Sequence, residues 1–224
     1  MLRNLLVATG HETQKSRNLE RTKTCILQKI NKSTLIEITL KKVIASKIFD
    51  KIILSSDSDK ILKIGKKIKN VQSVKRRKKI SKDNSKTDLA VIDYLKNLQE
   101  NFNYLVILQV TSPLRRISTI RKFVRYCVRK KLKNCLSVSK FNDHISFNKK
   151  YFRTELKNNS RRRQSRKDYY IENGMFYFLD INYFRKKKKI SSNKWNYYVT
   201  NKYESIDIND YEDLFITKLI YNKF

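Results

Sequence analysis

Amide, hydroxyl, guanidinium and carboxylate side chains recur in five short segments of the chain. Together they are what a phosphorylated ligand requires: donors and cations for phosphate oxygens, and carboxylates for a bridging metal. The first segment, residues 9–18, carries Gly10, Lys15, Arg17 and Asn18. The second is Ser55-Ser56-Asp57-Ser58, and the third is Gln109-Val110-Thr111-Ser112-Pro113-Leu114-Arg115, whose proline fixes a loop. The fourth pairs Arg161-Arg162-Arg163-Gln164 with Tyr169-Tyr170-Ile171-Glu172-Asn173-Gly174. Its glycine suits a turn of positive φ or a close backbone approach. In the fifth, Ser205-Ile206-Asp207-Ile208-Asn209-Asp210, two carboxylates and an amide offer the hard oxygen ligands that Mg²⁺ prefers. Each segment also has a purely structural reading. Ser56, Asp57 or Ser58 caps the next helix, Asp210 caps the last, and the arginine run is solvated. Recurrence of all five at the ends of predicted strands favours a common site.

Short apolar runs rich in Ile, Val and Leu alternate with amphipathic stretches, which predicts strands separated by helices. The strands fall at 4–8, 51–54, 71–74, 104–109 and 135–138. Thr34 and Glu37 form a capping box ahead of Leu35, Ile36, Leu40, Val43 and Ile44, a stripe on one face of a helix of about three turns. The pattern repeats at 59–69 and 88–98. Ser118 is expected to cap a fourth helix running through Ile120, Phe123, Val124 and Cys127. The order implies an α/β fold, a mostly parallel sheet with helices on both faces and ligands at the carboxyl ends of the strands. Residues 141–168 have no clean period and are expected to leave the sheet as an arm before 169–180 re-enters it. A closing helix at 211–221 is apolar at Leu214, Phe215, Leu219 and Ile220. We read residues 1–224 as one domain.

Lys and Arg number 52 against 20 Asp and Glu, a formal charge of +32, which composition alone does not assign to a neutral or acidic metabolic enzyme. With 40% hydrophobic and 11% aromatic residues the chain nevertheless has the material for a core and is no disordered basic tail. Three glycines and one proline stand well below the usual shares of about 7% and 5%. That is a drifted composition, in which much of the positive charge is a solvated surface with no anionic partner. The competing reading is a basic nucleic-acid-binding protein, with Lys75, Arg161 and Lys186 opening basic runs and 13 tyrosines and 11 phenylalanines available to stack on bases. Against it, the runs are scattered and many aromatics fall in predicted strands, where core packing is the simpler role. Cys25, Cys127 and Cys135 show no paired spacing, and only His11 and His144 accompany them, so structural zinc is not expected. The unpaired thiols, the short N-terminal apolar run and the lack of about 18 consecutive apolar residues lead us to expect a cytoplasmic protein without a membrane span.

Four of the segments occur, in order, in a pattern that resembles the acylneuraminate cytidylyltransferases, the CMP-sialic acid synthetases. IILSSDSDKI is similar to that family's strand followed by STDS, and LQVTSPLR matches LQPTSPLR except for Val110. RRQSRKDYYIENGMFYF resembles RRQ, a short spacer and YYRENGAIYIF, while SIDINDYEDL is similar to SIDIDTELDL. The first loop departs most: ATGHETQKSRN stands where the family has a glycine-rich loop of the type ARSGSKGLPGKN, with Thr9 at the leading arginine. The resemblance implies attack by the anomeric hydroxyl of a nine-carbon 2-keto acid sugar on the α-phosphate of CTP, with Mg²⁺ as cofactor and a homodimer as the assembly. It implies that Gln109, Thr111, Ser112, Arg163, Asn173 and Tyr177 hold the acidic sugar, and that Asp207 and Asn209 bind Mg²⁺. Gly10, Asn18, Arg76 and Thr87 would face the nucleotide, with Lys15 or Arg17 as the triphosphate cation. A degenerate relative, folded alike but slow or inactive, is the alternative that the altered first loop raises.

Overall fold

The computed structural model describes residues 4–9, 25–76, 87–96, 100–142, 167–187 and 194–223. Gly10, Lys15, Arg17, Asn18 and Arg163, and nearly all of the expected arm at 141–168, lie outside them. Strand β1 (Asn4–Thr9) is followed by a two-stranded hairpin of β2 (Lys29–Ile30) and β3 (Ser33–Thr34). Next come α1 (Leu35–Ser46), β4 (Lys51–Ser56), α2 (Asp59–Lys66), β5 (Gln72–Lys75), α3 (Thr87–Lys96) and β6 (Tyr104–Gln109). The remainder is α4 (Ile117–Arg129), β7 (Asn134–Phe141), β8 (Tyr169–Asp180), α5 (Ile181–Lys187), β9 (Tyr197–Thr200) and α6 (Tyr211–Tyr221).

The main sheet has seven strands in the order β5-β4-β1-β6-β8-β7-β9. All pairings are parallel except those of β8, which runs against both β6 and β7. The expected mostly parallel α/β sheet is therefore the observed one. Strand β1 lies at the point where the order reverses, with Thr9 opposite Ser55 on one side and Gln109 on the other. Crevices at such switch points are where open α/β sheets take their ligands.

Alternation along the central strands feeds two cores. Leu6, Ala8, Val106 and Leu108 join residues of α1, α2, α4 and α6 on one face. Leu5, Val7, Leu105 and Ile107 join Val91 and Leu95 of α3 and Ile181 and Phe184 of α5 on the other. Helix α1 shows how such an element is specified. Thr34 accepts from the Glu37 amide and Glu37 bonds back to Thr34, the expected capping box. The Thr34 amide holds the Glu37 carboxyl below its ordinary range. Leu35, Ile36, Ile38, Leu40 and Val43 are all buried. At about 1.5–3 kcal/mol for each large apolar side chain against about 1 kcal/mol for the cap, packing supplies the stability and the cap sets the start.

Several expectations need correction. The N-cap of α4 is Arg116, with no side-chain cap bond, so Ser118 lies inside the helix rather than before it. Ser58 sits at the N-cap of α2 and also makes no side-chain cap bond. In α6 the expected stripe is only partly buried. Leu214 is inside, whereas Phe215 and Leu219 are about 60% exposed and α6 turns Thr217 inward instead. The Asn173-Gly174 pair is not a turn between strands. It lies within β8, where the pairing shifts between Leu136 and Val138. Leu136 pairs with Tyr177 and Val138 with Glu172, so extra residues of β8 bulge at that point. Strand β9 and helix α5 were not foreseen.

Candidate active site

The loop after β6 is where the third segment meets the fifth and the Asn173-Gly174 part of the fourth, and its backbone is pinned at several points. A loop leaving a sheet must satisfy its backbone groups elsewhere, and here the partners are identifiable. The Gln109 carbonyl accepts from Nη2 of Arg115 and the Val110 carbonyl from Oγ1 of Thr39. The Thr111 carbonyl accepts from the Ile208 amide at 2.9 Å, and the Pro113 carbonyl from Nζ of Lys42 at 2.8 Å. The amide of Arg116 donates to Oε2 of buried Glu204 at 3.0 Å. Partners from α1, from the segment between β9 and α6, and from the loop itself thus fix one short stretch.

Thr111 and Ser112 use that fixed backbone to reach across 96 and 95 residues of sequence. Both hydroxyls donate to Oδ1 of Asp207, Ser112 from 3.4 Å. Among the described residues both bonds fall on the same oxygen, so Oδ2 is the oxygen available to a cation. Asn209 is exposed, and its Nδ2 donates to the Asp207 carbonyl at 3.2 Å. No cluster of three or more His, Cys, Asp or Glu able to hold a metal exists among the described residues. One carboxylate with an adjacent amide does not form an all-protein cage. It does fit Mg²⁺, which usually keeps several waters and is shared between one or two carboxylates and substrate phosphates.

Gln109 meets the fourth segment. Gly174 has φ +68°, which favours glycine, and a Cβ there would lie 2.5 Å from Oε1 of Gln109, so any other side chain would also have to displace the Gln109 amide. Asn173 holds this bulge in place. Its Oδ1 accepts from Ser137 and from the Met175 amide, and its Nδ2 donates to Ser139 and Thr200. All four of its hydrogen-bonding positions are thereby engaged within β7, β8 and β9, so Asn173 orients the bulge from within. Tyr177, packed on the sheet face that carries Ile107, donates to Oε1 of Glu172 across the bulge. Burial first, and then that bond, raise its hydroxyl well above the ordinary tyrosine value.

On the other side of β1, Arg76 is buried at the end of β5. Its amide donates to the Ser56 carbonyl at 2.8 Å and its Nη2 to the Ser55 carbonyl at 3.0 Å. Burial lowers its pKa, and the charge of Asp57 opposes the shift. Arg76 and the Ser55-Ser56-Asp57 segment therefore form one polar end to β4 and β5. Thr87 is the first residue of α3.

Two residues of the site carry no assigned role in the sequence pattern. Arg115 is 1% exposed, with its guanidinium carbon 5.5 Å from the Phe176 ring centroid. Burial pushes its pKa down to about 9, which the charge of Asp207 partly offsets. Glu204 immediately precedes the fifth segment, and that adjacency was the available signal. For Arg115 the signal was its place at the end of LQVTSPLR, which reveals a guanidinium but not its burial.

The profile of a family described as Cytidylyltransferase matches residues 20–220. Among solved structures, a 4-diphosphocytidyl-2C-methyl-D-erythritol synthase from Anaerococcus prevotii is similar at 16% identity with a TM-score of 0.69, covering 99% of each chain. A CMP:2-keto-3-deoxy-manno-octonic acid synthetase complexed with CTP is similar at 8% identity with a TM-score of 0.70, again over 99% of each chain. Another 4-diphosphocytidyl-2C-methyl-D-erythritol synthase has a TM-score of 0.71 at 8% identity and the same coverage. At these identities the likeness to the solved structures is one of fold.

Proposed function

The chain belongs to the cytidylyltransferase family, and we propose that it transfers the cytidylyl group of CTP to a nine-carbon 2-keto acid sugar of the sialic acid type. The observation that supports this reading is the convergence on one pinned loop of segments far apart in sequence. Gln109 lies against Gly174, while Thr111 and Ser112 bond Asp207. These are the segments that resemble the CMP-sialic acid synthetases, and they resemble them in the same order.

In the proposed reaction the anomeric oxygen of the sugar bonds to the α-phosphorus of CTP as the bond from α-phosphorus to the bridging oxygen breaks. The sugar hydroxyl gives up its proton to solvent and pyrophosphate leaves. Little covalent chemistry falls to the protein, whose work is positioning and charge neutralisation. Gln109 and Arg163 hold the acidic sugar, the guanidinium forking onto its carboxylate, and Tyr177 lines the same side. Asn173 contributes by fixing the bulge against which Gln109 packs. Arg76, Thr87, Gly10 and Asn18 face the nucleotide, with Lys15 or Arg17 toward the triphosphate. Asp207, with Asn209 beside it, would hold Mg²⁺, whose chemistry is to neutralise phosphate oxygens. The assembly is a homodimer, with residues 141–168 as the arm; β7 and β8 bring the two flanks of that segment together, Phe141 pairing with Tyr169.

The test is pyrophosphate release from CTP and Mg²⁺ over a panel of acceptors. N-acetylneuraminate, legionaminate or pseudaminate should raise release above the sugar-free control, and Arg163→Ala should raise the KM for that sugar. Release with an eight-carbon keto acid or a methylerythritol phosphate, and with no nine-carbon acid, would overturn the sugar assignment. No release with any acceptor would favour the degenerate relative, whose support is the first loop with Thr9 at the leading arginine.

A further inference from the structure

The candidate site has two halves on different supports. One is the bulge of β8, whose Gly174 lies against the side chain of Gln109. The other is the segment after β9, whose Asp207 takes the hydroxyls of Thr111 and Ser112. The loop after β6 joins them once, since it carries both Gln109 and Thr111. A second connection passes through Thr200, the last residue of the edge strand β9. Its Oγ1 accepts from Nδ2 of Asn173 at 2.8 Å and lies 2.7 Å from Oγ of Ser205, with the Val138 carbonyl as a further acceptor at 3.1 Å. Ser205 in turn donates to the Asn201 carbonyl at 2.7 Å. Both Thr200 and Ser205 are buried. Valine has nearly the same shape as threonine and suits a strand as well, so packing does not explain the hydroxyl. What distinguishes it is that it bonds one side chain from each half of the site.

We propose that Thr200 is a positioning residue that sets the separation of the two halves: by bonding Asn173 and Ser205 to one hydroxyl, it closes a ring running from Gln109 along the loop to Asp207 and back through β9 to the bulge. A loop that joins two parts at one place leaves them free to hinge, and a second link removes that freedom. Transfer from a nucleotide at one half to an acceptor at the other requires their reacting atoms to lie about 3–3.5 Å apart and in line. Relative placement is therefore what the ring protects, while each half keeps its own binding groups without it. Asn173 retains its bonds to Ser137, Ser139 and the Met175 amide when Thr200 is changed, so the bulge keeps its other anchors. The effect on transfer rests on the cytidylyl transfer proposed above, whichever sugar is the acceptor; the closure of the ring does not.

Three substitutions test the ring. Thr200→Val removes the hydroxyl and keeps the shape, and Thr200→Ser keeps the hydroxyl. Ser205→Ala opens the ring on its other side and leaves Asn173 bonded to Thr200. Amide hydrogen exchange is followed by mass spectrometry on peptides from 170–176, 204–210 and the central strands β1 and β6. Exchange at 204–210 should be about 10-fold faster in Thr200→Val and in Ser205→Ala, and unchanged in the central strands. Exchange at 170–176 should quicken in Thr200→Val alone, and Thr200→Ser should resemble the unsubstituted protein throughout. In both ring-opening variants kcat for pyrophosphate release should fall by about 10-fold or more, with the KM for CTP within about 3-fold. Because they break one connection, the double variant should be no slower than the slower single one. Unchanged exchange at 204–210 in a folded Thr200→Val protein would overturn the ring. Faster exchange with an unchanged kcat would make the hydroxyl a matter of stability and end its positioning role. So would losses that multiply in the double variant, or a Thr200→Ser protein as slow as Thr200→Val. Should no acceptor support release by the unsubstituted protein, the transfer reading fails and exchange still decides whether the ring is closed. If Thr200→Val does not fold, Ser205→Ala carries both measurements, with the same outcomes.

Discussion

Asp207 is the one carboxylate that the sequence pattern and the loop geometry bring to the same place, so its charge is the first thing to remove. Asp207→Asn keeps an oxygen for the hydroxyls of Thr111 and Ser112 and should leave the fold intact. The kcat/KM for pyrophosphate release should nevertheless fall by about 100-fold or more, the scale on which one preorganised electrostatic group acts. Gly174→Ala tests the contact on the other side of the loop. Its φ of +68° strains any L side chain, and the new Cβ would displace the Gln109 amide. A loss of about 1–2 kcal/mol in urea unfolding, together with a higher KM for sugar, is the expected pair of results. Lys42, behind the loop, gives a pH dependence. Burial, followed by repulsion from Arg115, lowers its pKa from 10.5 to about 8. Between those values the unfolded chain binds a proton that the folded chain lacks, so stability rises with pH across that window and the charged amine is unfavourable below it. Urea midpoints compared at about pH 7.5 and about pH 9.5 should therefore show a smaller rise in Lys42→Met than in the unsubstituted protein.

At the scale of elements, the caps show why some boundaries were legible and others were not. Thr34 with Glu37, and Asp210 with Asp213, form capping boxes at the starts of α1 and α6. In both places a short polar acceptor three residues before an acid announces the helix directly. Asp210→Ala should lower stability by about 1 kcal/mol, or about 2–4 °C in Tm, read by circular dichroism. Ser118→Ala should stay within about 0.5 kcal/mol, because Ser118 is an exposed residue inside α4 and not its cap. The true cap, Arg116, has no local signal, since its amide is held by Glu204 from a segment 88 residues away. The same distinction governs the rest. The strands at 4–8, 51–54 and 104–109 are buried on both faces and read as continuous apolar runs. Strand β9 (Tyr197–Thr200) lies at the edge of the sheet with Tyr197 and Val199 exposed, so it offers no such run. The Asn-Gly pair in β8 announces a positive φ or a close approach, both of which Gly174 shows, but not a bulge, because whether a glycine ends a strand or bulges within one depends on the partner strand. In the candidate site, hydroxyls and carboxylates at strand ends were legible from residue type. The burial of Arg115 and Glu204 was not, because it is a property of the packed loop.

At the scale of the whole molecule the open question is whether a formal charge of +32 has a nucleic acid as its object. The family membership and the pinned site account for the chain without one, and the two kinds of charge in the molecule respond differently to salt. Exposed lysines such as Lys41, Lys47, Lys60 and Lys66 act through water, where the screening length is about 8 Å at physiological ionic strength. Attraction of such a surface to a polyanion comes from released counterions and falls steeply as salt rises. Charges inside the site are shielded from that screening: Arg115 is 1% exposed, Arg76 4% and Glu204 4%. A binding site built on them should keep most of its affinity where the surface has lost its own. Single-stranded DNA and RNA of random sequence should therefore be retained at low salt, without sequence preference, and be released by about 0.3 M salt. Pyrophosphate release from CTP, measured in the same buffers, should retain at least about half of its low-salt rate. A sequence-selective complex that persists at the higher salt would make nucleic acid a true partner. It would also mean that the basic surface is a binding face and not the product of a composition rich in lysine.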